Sequence, residues 1–471
     1  MKRHAPALGL VALLVAGGSL LARSSSPQAD ARLKEAVRRP AQNGWTFVHL
    51  QGTPAQIGYQ HGYLLAPEIA DLLNVVRLES QHDSNRDWAF HRAAAQKILW
   101  PRIEQEYRDE LQGIADGASA HGTPLDVWDV TAMNAFLEWP YYVKELDKQQ
   151  GKRDAASPGT AEHCSAFVAT GRFTTDGRIV IAHNNWSGYL DGERWTVIFD
   201  IVPAKGHRIL MDGMPGLIHS GDDFGMNDAG IVITETTITG FFGFYAAGVP
   251  EFVRARKAMQ YSESIDDFAR LMKDGNNGGY ANDWLVADTR RNEIAHLELG
   301  LKNVTLERTR DGFFVGSNFP KNEKLVREET DFDPKDMSKS ANARRVRWEQ
   351  LMAENEGRID LAAAQRFLAD HVDSYAKKVD PNERTLCGHI DLSPRGSLPW
   401  VGPYGIAGTV QNKATTAAMA AAMTLTAATG HACGIGFNAA AHVQAHPEFA
   451  WQRELLRDMP PGAWTTFSAQ R

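Results

Sequence analysis

The sequence predicts an α+β protein of layered type. Three observations predict it. Residues 32–140 space their apolar side chains by three and four, the period of packed helices. A polar stretch punctuated by Pro and Gly follows. Beyond it the period switches to two, and the strand blocks stay apart from the helix blocks, the pattern of stacked layers.

Composition sets the frame. The chain has 471 residues, 43% hydrophobic and 23% charged, which is ordinary for a globular core. The net charge of −7 comes without a long Lys/Arg run, which argues against nucleic acid as a partner. Residues 1–31 read as a signal peptide. Met1-Lys2-Arg3-His4 is basic, Ala5 to Ala22 is apolar, and Ala29-Asp30-Ala31 fits a small-x-small cleavage site. The Ala/Gly-rich composition favours cleavage over an uncleaved anchor, so the protein is expected to be periplasmic or secreted.

The N-terminal part, 32–143, is expected to be helical. Thr53-Pro54 opens an element running through Ile57, Leu64, Leu65, Ile69, Leu72 and Leu73. A second helix runs from Ile103 to about Ala120 and stops at Gly122-Thr123-Pro124; a third passes through Trp128, Met133 and Phe136. Residues 144–163 read as an exposed linker, charged at first and then Ala155-Ala156-Ser157-Pro158-Gly159-Thr160. The linker ends on Glu162-His163-Cys164-Ser165. Residues 164–471 form the catalytic part, expected to share one sandwich with 32–143. Cys164–Thr170 and Arg178–Trp186 flank the turn Thr175-Asp176-Gly177 as a hairpin. Further strands are expected at Trp195–Val202, His207–Met211, Ile231–Thr237, Trp284–Asp288, Glu293–Leu299, Val304–Arg308 and Phe313–Gly316. Helices are expected at Pro250–Tyr261, Ile265–Lys273, Ala341–Glu354 and Leu361–His371. The Ala/Met-rich stretch Ala414–Ala428 reads as packed interior.

The chemistry centres on Cys164. The chain has three cysteines, Cys164, Cys387 and Cys433, and an odd count in an oxidising compartment leaves one thiol unpaired. Cys387 and Cys433 can pair with each other, and the sequence leaves that open. Cys164 follows a linker and starts a hairpin, where its thiol can attack the His163 carbonyl and cut the chain. The freed Cys164 would then carry thiol and α-amine on one residue. An α-amine with a pKa near ~7.7–8.0 can serve as base for its own nucleophile.

Cys164-Ser165-Ala166, Asp176-Gly177-Arg178 and His183-Asn184-Asn185-Trp186, with Tyr280-Ala281-Asn282-Asp283-Trp284 downstream, resemble the phospholipase B-like proteins. The upstream Gly52-Thr53-Pro54, Ile57-Gly58, Gln60-His61-Gly62 and Leu111-Gln112-Gly113-Ile114-Ala115-Asp116-Gly117 resemble the acyl-CoA:6-aminopenicillanic acid acyltransferase family. Both families are N-terminal nucleophile (Ntn) hydrolases, so the resemblance implies a four-layer αββα sandwich and autoproteolysis; with no Gly-x-Gly-x-x-Gly after a strand and no Gly-Lys-Ser phosphate loop, no cofactor is implied. It implies Cys164 as nucleophile, Asn282 as oxyanion donor and His183 as an assistant in processing or substrate orientation. Asn184, Asn185, Trp186, Asp283 and Arg395 are supporting candidates. Asn185 stands where the family block has Thr, and Asp283 where it has Gln.

Plainer readings stand beside these. His183 can be a satisfied strand histidine, Asn282-Asp283 simple turn chemistry, and Trp186 packing. His61 packs or caps. Arg384 and Arg395, around His389, can grip an anion or form surface ion pairs. No Cys-x-x-Cys or His-Glu-x-x-His spacing occurs, so no metal site is expected. The expected function is a cysteine hydrolase or acyltransferase acting on an acyl amide or ester, cut into two chains that stay together. The competing readings are an exported papain-like Cys-His protease and an exported binding protein with an inert thiol.

Overall fold

The computed structural model describes Met1 and residues 30–152, 164–396 and 402–470. Most of the expected signal segment, and linker residues 153–163, lie outside the described residues.

Strands β1 (Val37–Arg38) and β2 (Thr46–Gly52) lie in the N-terminal part. β3 (Ser165–Thr170) and β4 (Val180–Gly188) form the hairpin expected after the linker. β5 (Val197–Pro203), β6 (Ile209–Gly213), β7 (Gly225–Asn227) and β8 (Ile231–Thr237) come next. β9 (Asn282–Asp288), β10 (Glu293–Leu299), β11 (Val304–Thr309) and β12 (Gly312–Gly316) follow two helices. A small hairpin, β13 (Val372–Asp373) and β14 (Lys378–Val379), precedes β15 (Ala407–Thr416), β16 (Thr424–Thr429) and β17 (Thr465–Ser468).

Two large sheets result. One has nine strands in the order β1-β2-β5-β6-β7-β8-β9-β10-β11, and the other six in the order β12-β3-β4-β15-β16-β17. Only β2 and β5 pair in parallel within them. Side chains alternate along β3, as the pleat requires. Ala166 and Val168 meet Ile198, Leu285 and Ala287 of the nine-stranded sheet, while Phe167 and Ala169 meet Trp348 and Phe367 on the outer helices. The other face of the nine-stranded sheet packs Phe199, Met211 and Trp284 against Leu72, Leu111 and Ile114 of the N-terminal helices. The layers are therefore helix, sheet, sheet, helix: the αββα sandwich.

The glycines of the upstream block have a packing reason. Helix Pro54–Leu64 crosses helix Gln105–Ala120 backbone to backbone. A Cβ at Gly58 would lie 2.0 Å from the Glu110 carbonyl oxygen, and one at Gly62 2.0 Å from that of Ile114. On the other helix, a Cβ at Gly117 would lie 2.1 Å from the Tyr59 carbonyl oxygen. Each helix thus presents two glycines four apart on one face, and no larger residue fits there.

Three departures have physical causes. The helix Trp139–Gln149 carries helical structure past residue 143, because Trp139, Tyr141 and Val143 anchor it in the core and its polar face extends it to Gln149. β2 interrupts the helical N-terminal part, since it pairs with a strand some 150 residues on. Ala414–Ala428 divides into the end of β15, the short helix Ala417–Ala421 and β16; Ala414, Ala417, Ala420 and Ala427 are buried as expected. Among the described residues no helix is long and apolar enough to cross a membrane.

Candidate active site

Cys164 is fully buried immediately before β3. Its φ is +93°, a region that side-chain-bearing residues rarely adopt. The β3–β4 register pairs Ala166 with His183 and Ser165 with Asn184, so Asn185 is next to face Cys164. The thiol lies 3.8 Å from Asn185 Oδ1 and 4.0 Å from Glu235 Oε1 at the end of β8. A His183 ring nitrogen, the thiol and a Glu235 oxygen all fall within 4.8 Å of one another.

Glu235 is held from the Gly278-Gly279 turn. Tyr280, at φ +53°, donates its hydroxyl to Glu235 Oε1 at 2.9 Å. The Asn282 amide, oriented nitrogen toward the carboxylate, donates to Oε2 at 3.0 Å. Asn185 Nδ2 has no hydrogen-bond partner among the described residues, so a buried donor stands free beside the thiol. Arg344 fixes the backbone. Its guanidinium donates to the Cys164 carbonyl, to Ser165 Oγ at 3.1 Å and to Asn318 Oδ1 at 2.7 Å, and lies 4.1 Å over the Trp186 ring.

The surroundings work against a lone thiolate. Burial, then Glu235 and Asp222, push the Cys164 thiol well above its ordinary range. Burial, then Asp223, push the Glu235 carboxyl up as well. His183 is driven down to about 3 by burial and by the Lys413 ammonium, so its ring is neutral. Its Nδ1 sits 3.7 Å from Asp222 Oδ2, too long for a hydrogen bond. Lys413 is itself buried between Asp222 and Asp212, with Asp212 Oδ2 at 3.0 Å.

The structure thus gathers Cys164, His183, Asn185 and Asn282 around Glu235. It places the other candidates differently. Asn184 points to the opposite face of β4 and donates to the Leu368 and Leu386 carbonyls at 2.8 and 2.9 Å. Trp186 shares that outer face with Ile390 and Ala407. Asp283 faces His296 at 3.5 Å, between the sheets. Arg395 is committed to Glu383 at 3.0 Å and Arg384 to Asp373 at 2.7 Å, so these guanidinium groups hold loops rather than an anionic ligand. His61 packs, accepting from Gly216 N–H at 2.8 Å.

Glu235, Tyr280, Arg344 and Lys413 were not singled out from the sequence. A signal existed for two of them, since a Glu in Ile231-Val232-Ile233-Thr234-Glu235 and a Lys in Gln411-Asn412-Lys413-Ala414 put charge inside buried strands. A second cluster was announced only by Cys387-Gly388-His389: His371, Cys387, His389 and Cys433 converge from three loops, a grouping that the sequence spacing did not lead one to expect.

Four αββα layers carry a cysteine at the head of an inner strand, the layout that the sequence resemblance implies. The chain belongs to the phospholipase B family, whose pattern matches residues 71–322. It is 26% identical over 263 residues to an uncharacterized protein of Archaeoglobus fulgidus, covering 53% of this chain and 42% of that one. It is 30% identical over 274 residues to Phospholipase-B 81 of Drysdalia coronoides, covering 50% and 48%. The chain spans about half the length of the curated relatives it matches. Among solved structures, a mutant of the conjugated bile acid hydrolase from Clostridium perfringens is similar, with a TM-score of 0.33 and 10% identity over 56% of this chain and 89% of that one.

Proposed function

We propose that the protein is an exported, self-cleaving cysteine hydrolase or acyltransferase that opens acyl amides or esters through a thioester on Cys164. The observation that carries this reading is the thiol's environment. Buried carboxyls beside Cys164 disfavour a thiolate but suit a positive charge. A new α-ammonium on Cys164 is such a charge, and Glu235 stands within reach of that residue. A papain-like site has the opposite need, a thiolate stabilised at a helix start, whereas Cys164 heads a strand.

Self-cleavage begins while the α-amine is still bound in a peptide. The sulfur attacks the His163 carbonyl and the carbon–nitrogen bond breaks. The thiol proton passes to the peptide nitrogen of Cys164 as that nitrogen leaves. Water then hydrolyses the thioester, leaving a carboxylate on residue 163 and a free thiol on Cys164.

Catalysis reuses the same centre. The α-amine accepts the thiol proton, and the thiolate attacks the acyl carbonyl of the substrate. Asn185 Nδ2 is the free donor for the oxyanion, and the Asn282 amide steadies Glu235 beside it. The ammonium returns its proton to the leaving amine or alcohol, and water, or an acceptor amine, resolves the thioester. The substrate class is acyl-bearing: a phospholipid or an N-acyl compound.

The test is a quench. Incubation with a lysophospholipid, a nitrophenyl fatty ester and an N-acyl amide, followed by acid, should trap a hydroxylamine-labile acyl group on Cys164 by intact mass and peptide mapping. An acyl adduct on another residue, or turnover undiminished in Cys164→Ala, overturns the reading.

A further inference from the structure

We propose that His371, Cys387, His389 and Cys433 hold a structural zinc ion, separate from the cluster of side chains around Cys164. The four offer one ligand atom each, and all four atoms lie within 4.8 Å of one another. His371 Nε2 and His389 Nε2 are 3.2 Å apart, and Cys433 Sγ is 3.4 Å from His389 Nε2. A tetrahedral zinc with ordinary bond lengths puts two nitrogens about 3.3 Å apart and a nitrogen and a sulfur about 3.5 Å apart. The measured edges match both. Two thiols with two imidazoles is the donor set that selects zinc over harder or larger cations.

Hydrogen bonding alone explains the convergence poorly. One proton on His389 Nε2 satisfies one acceptor, yet His371 Nε2 and Cys433 Sγ both face that atom. A cation at the centre satisfies all four lone pairs at once.

The scaffold is built for precision. Cys387 is tied to the end of the helix Leu361–Leu368 by its N–H on the Asp370 carbonyl at 3.1 Å. Asp370 is pinned by Arg347 at 2.9 and 2.8 Å. Thr409 on β15 holds the Cys387 carbonyl through its hydroxyl at 2.6 Å, and Thr409 N–H holds that of Gly388 at 3.0 Å. Gly388, at φ +62°, passes so close to Trp186 that a Cβ would lie 2.2 Å from the indole. On the third loop, Ile435 N–H donates to Cys433 Sγ at 3.4 Å, two residues on, as metal-bound thiolates commonly receive. Around the site, His431 stacks on His389 with centroids 3.9 Å apart, and Asp391 Oδ1 stands 3.9 Å from His389 Nδ1, the atom turned away from the centre. At that distance the carboxylate makes no hydrogen bond to the ring, and Asp391 Oδ1 accepts from the Tyr189 hydroxyl at 2.8 Å. Four protein ligands close the coordination sphere, so the ion's role is to staple three loops to the outer face of the six-stranded sheet.

A thiol pair in an exported protein has one rival fate, a disulfide between Cys387 and Cys433. Metal analysis of the full chain purified from an oxidising compartment, after exhaustive dialysis, separates the two. One zinc per chain is expected, with both thiols shielded from alkylation until a chelator is added. Cobalt exchanged into the site should give the visible bands of tetrahedral cobalt with sulfur-to-metal charge transfer. A Cys387→Ser/Cys433→Ser variant should lose the zinc. Should that variant fail to fold, His371→Ala at the half-exposed corner serves instead, and its zinc affinity should fall beyond the ~10–100-fold that outer partners cost. A metal-free chain with a Cys387–Cys433 disulfide overturns the proposal, and so does unchanged zinc content in either variant.

Discussion

Cys164 and the Cys387–Cys433 pair share one chain but sit in opposite surroundings. At Cys164, burial and two carboxylates hold the thiol in its neutral form. At Cys433, hydrogen bonds from Cys387, His371 and His389 pull the thiol the other way, toward the thiolate. Cys164 lies between the sheets and is sealed, whereas Cys433 lies on an outer loop and is half exposed. A thiol that must wait for a new base needs the first setting, and a thiol that must ligate needs the second. The difference lies in local charge, not in residue type.

The sharpest way to break the comparison is to exchange the losses. Cys164→Ala should abolish self-cleavage and lower acyl turnover by at least ~10⁴-fold, in line with loss of a nucleophile. The Cys387→Ser/Cys433→Ser chain, where folded, should still cut itself at Cys164 on a denaturing gel. If it folds and does not cut, the two regions are not independent.

The next contrast lies along β4. Asn185→Ala should lower kcat by ~10²–10³-fold, the cost of an oxyanion donor, with KM little changed. Asn184→Ala, facing the other way, should instead cost about 1–3 kcal/mol of stability through its two orphaned carbonyls, read by urea unfolding. Equal effects on kcat for both variants would remove the distinction between the faces.

Two pH effects are smaller. A carboxylate beside an ammonium favours the charged amine, so Glu235 would raise the pKa of an α-amine freed on Cys164. The amine must be neutral to act as base, and activity therefore rises with pH through that pKa. Glu235→Gln should shift this rising limb to lower pH by about 1 unit; a shift to higher pH would contradict the pairing. His183 has a folded pKa of about 3 against an unfolded value near ~6.5. The unfolded chain binds the extra proton between those values, so this group's contribution to stability is lost as pH falls below ~6.5. Compared with wild type, His183→Gln should gain about 2 kcal/mol of relative stability between pH 7 and pH 5, measured by denaturant unfolding at both.

Much of the sandwich was legible because its elements obey local periods. Ile231–Thr237, Ile265–Lys273 and Glu293–Leu299 have the same ends in sequence and structure. β2 was not legible, since its partner β5 is remote and parallel, and no turn signals the pairing. The strands within Ala407–Thr429 were masked by Ala and Met, residues that favour helices until the neighbouring β4 supplies a ladder. At the site, Cys164, His183 and Asn282 carried recognisable neighbours. Glu235 and Arg344 did not, because what makes them relevant is a fold that brings β8 and the helix Ser340–Glu354 to the head of β3. The sulfur–imidazole cluster left only Cys387-Gly388-His389 as a local trace, with its other ligands on distant loops.

The central claim is that Cys164 becomes an N-terminus. N-terminal sequencing and intact mass of the purified active protein test it most directly. Two fragments are expected, the larger beginning Cys-Ser-Ala-Phe, and a single whole chain for Cys164→Ala. An active protein that remains one chain, or a new terminus at any other residue, would contradict it.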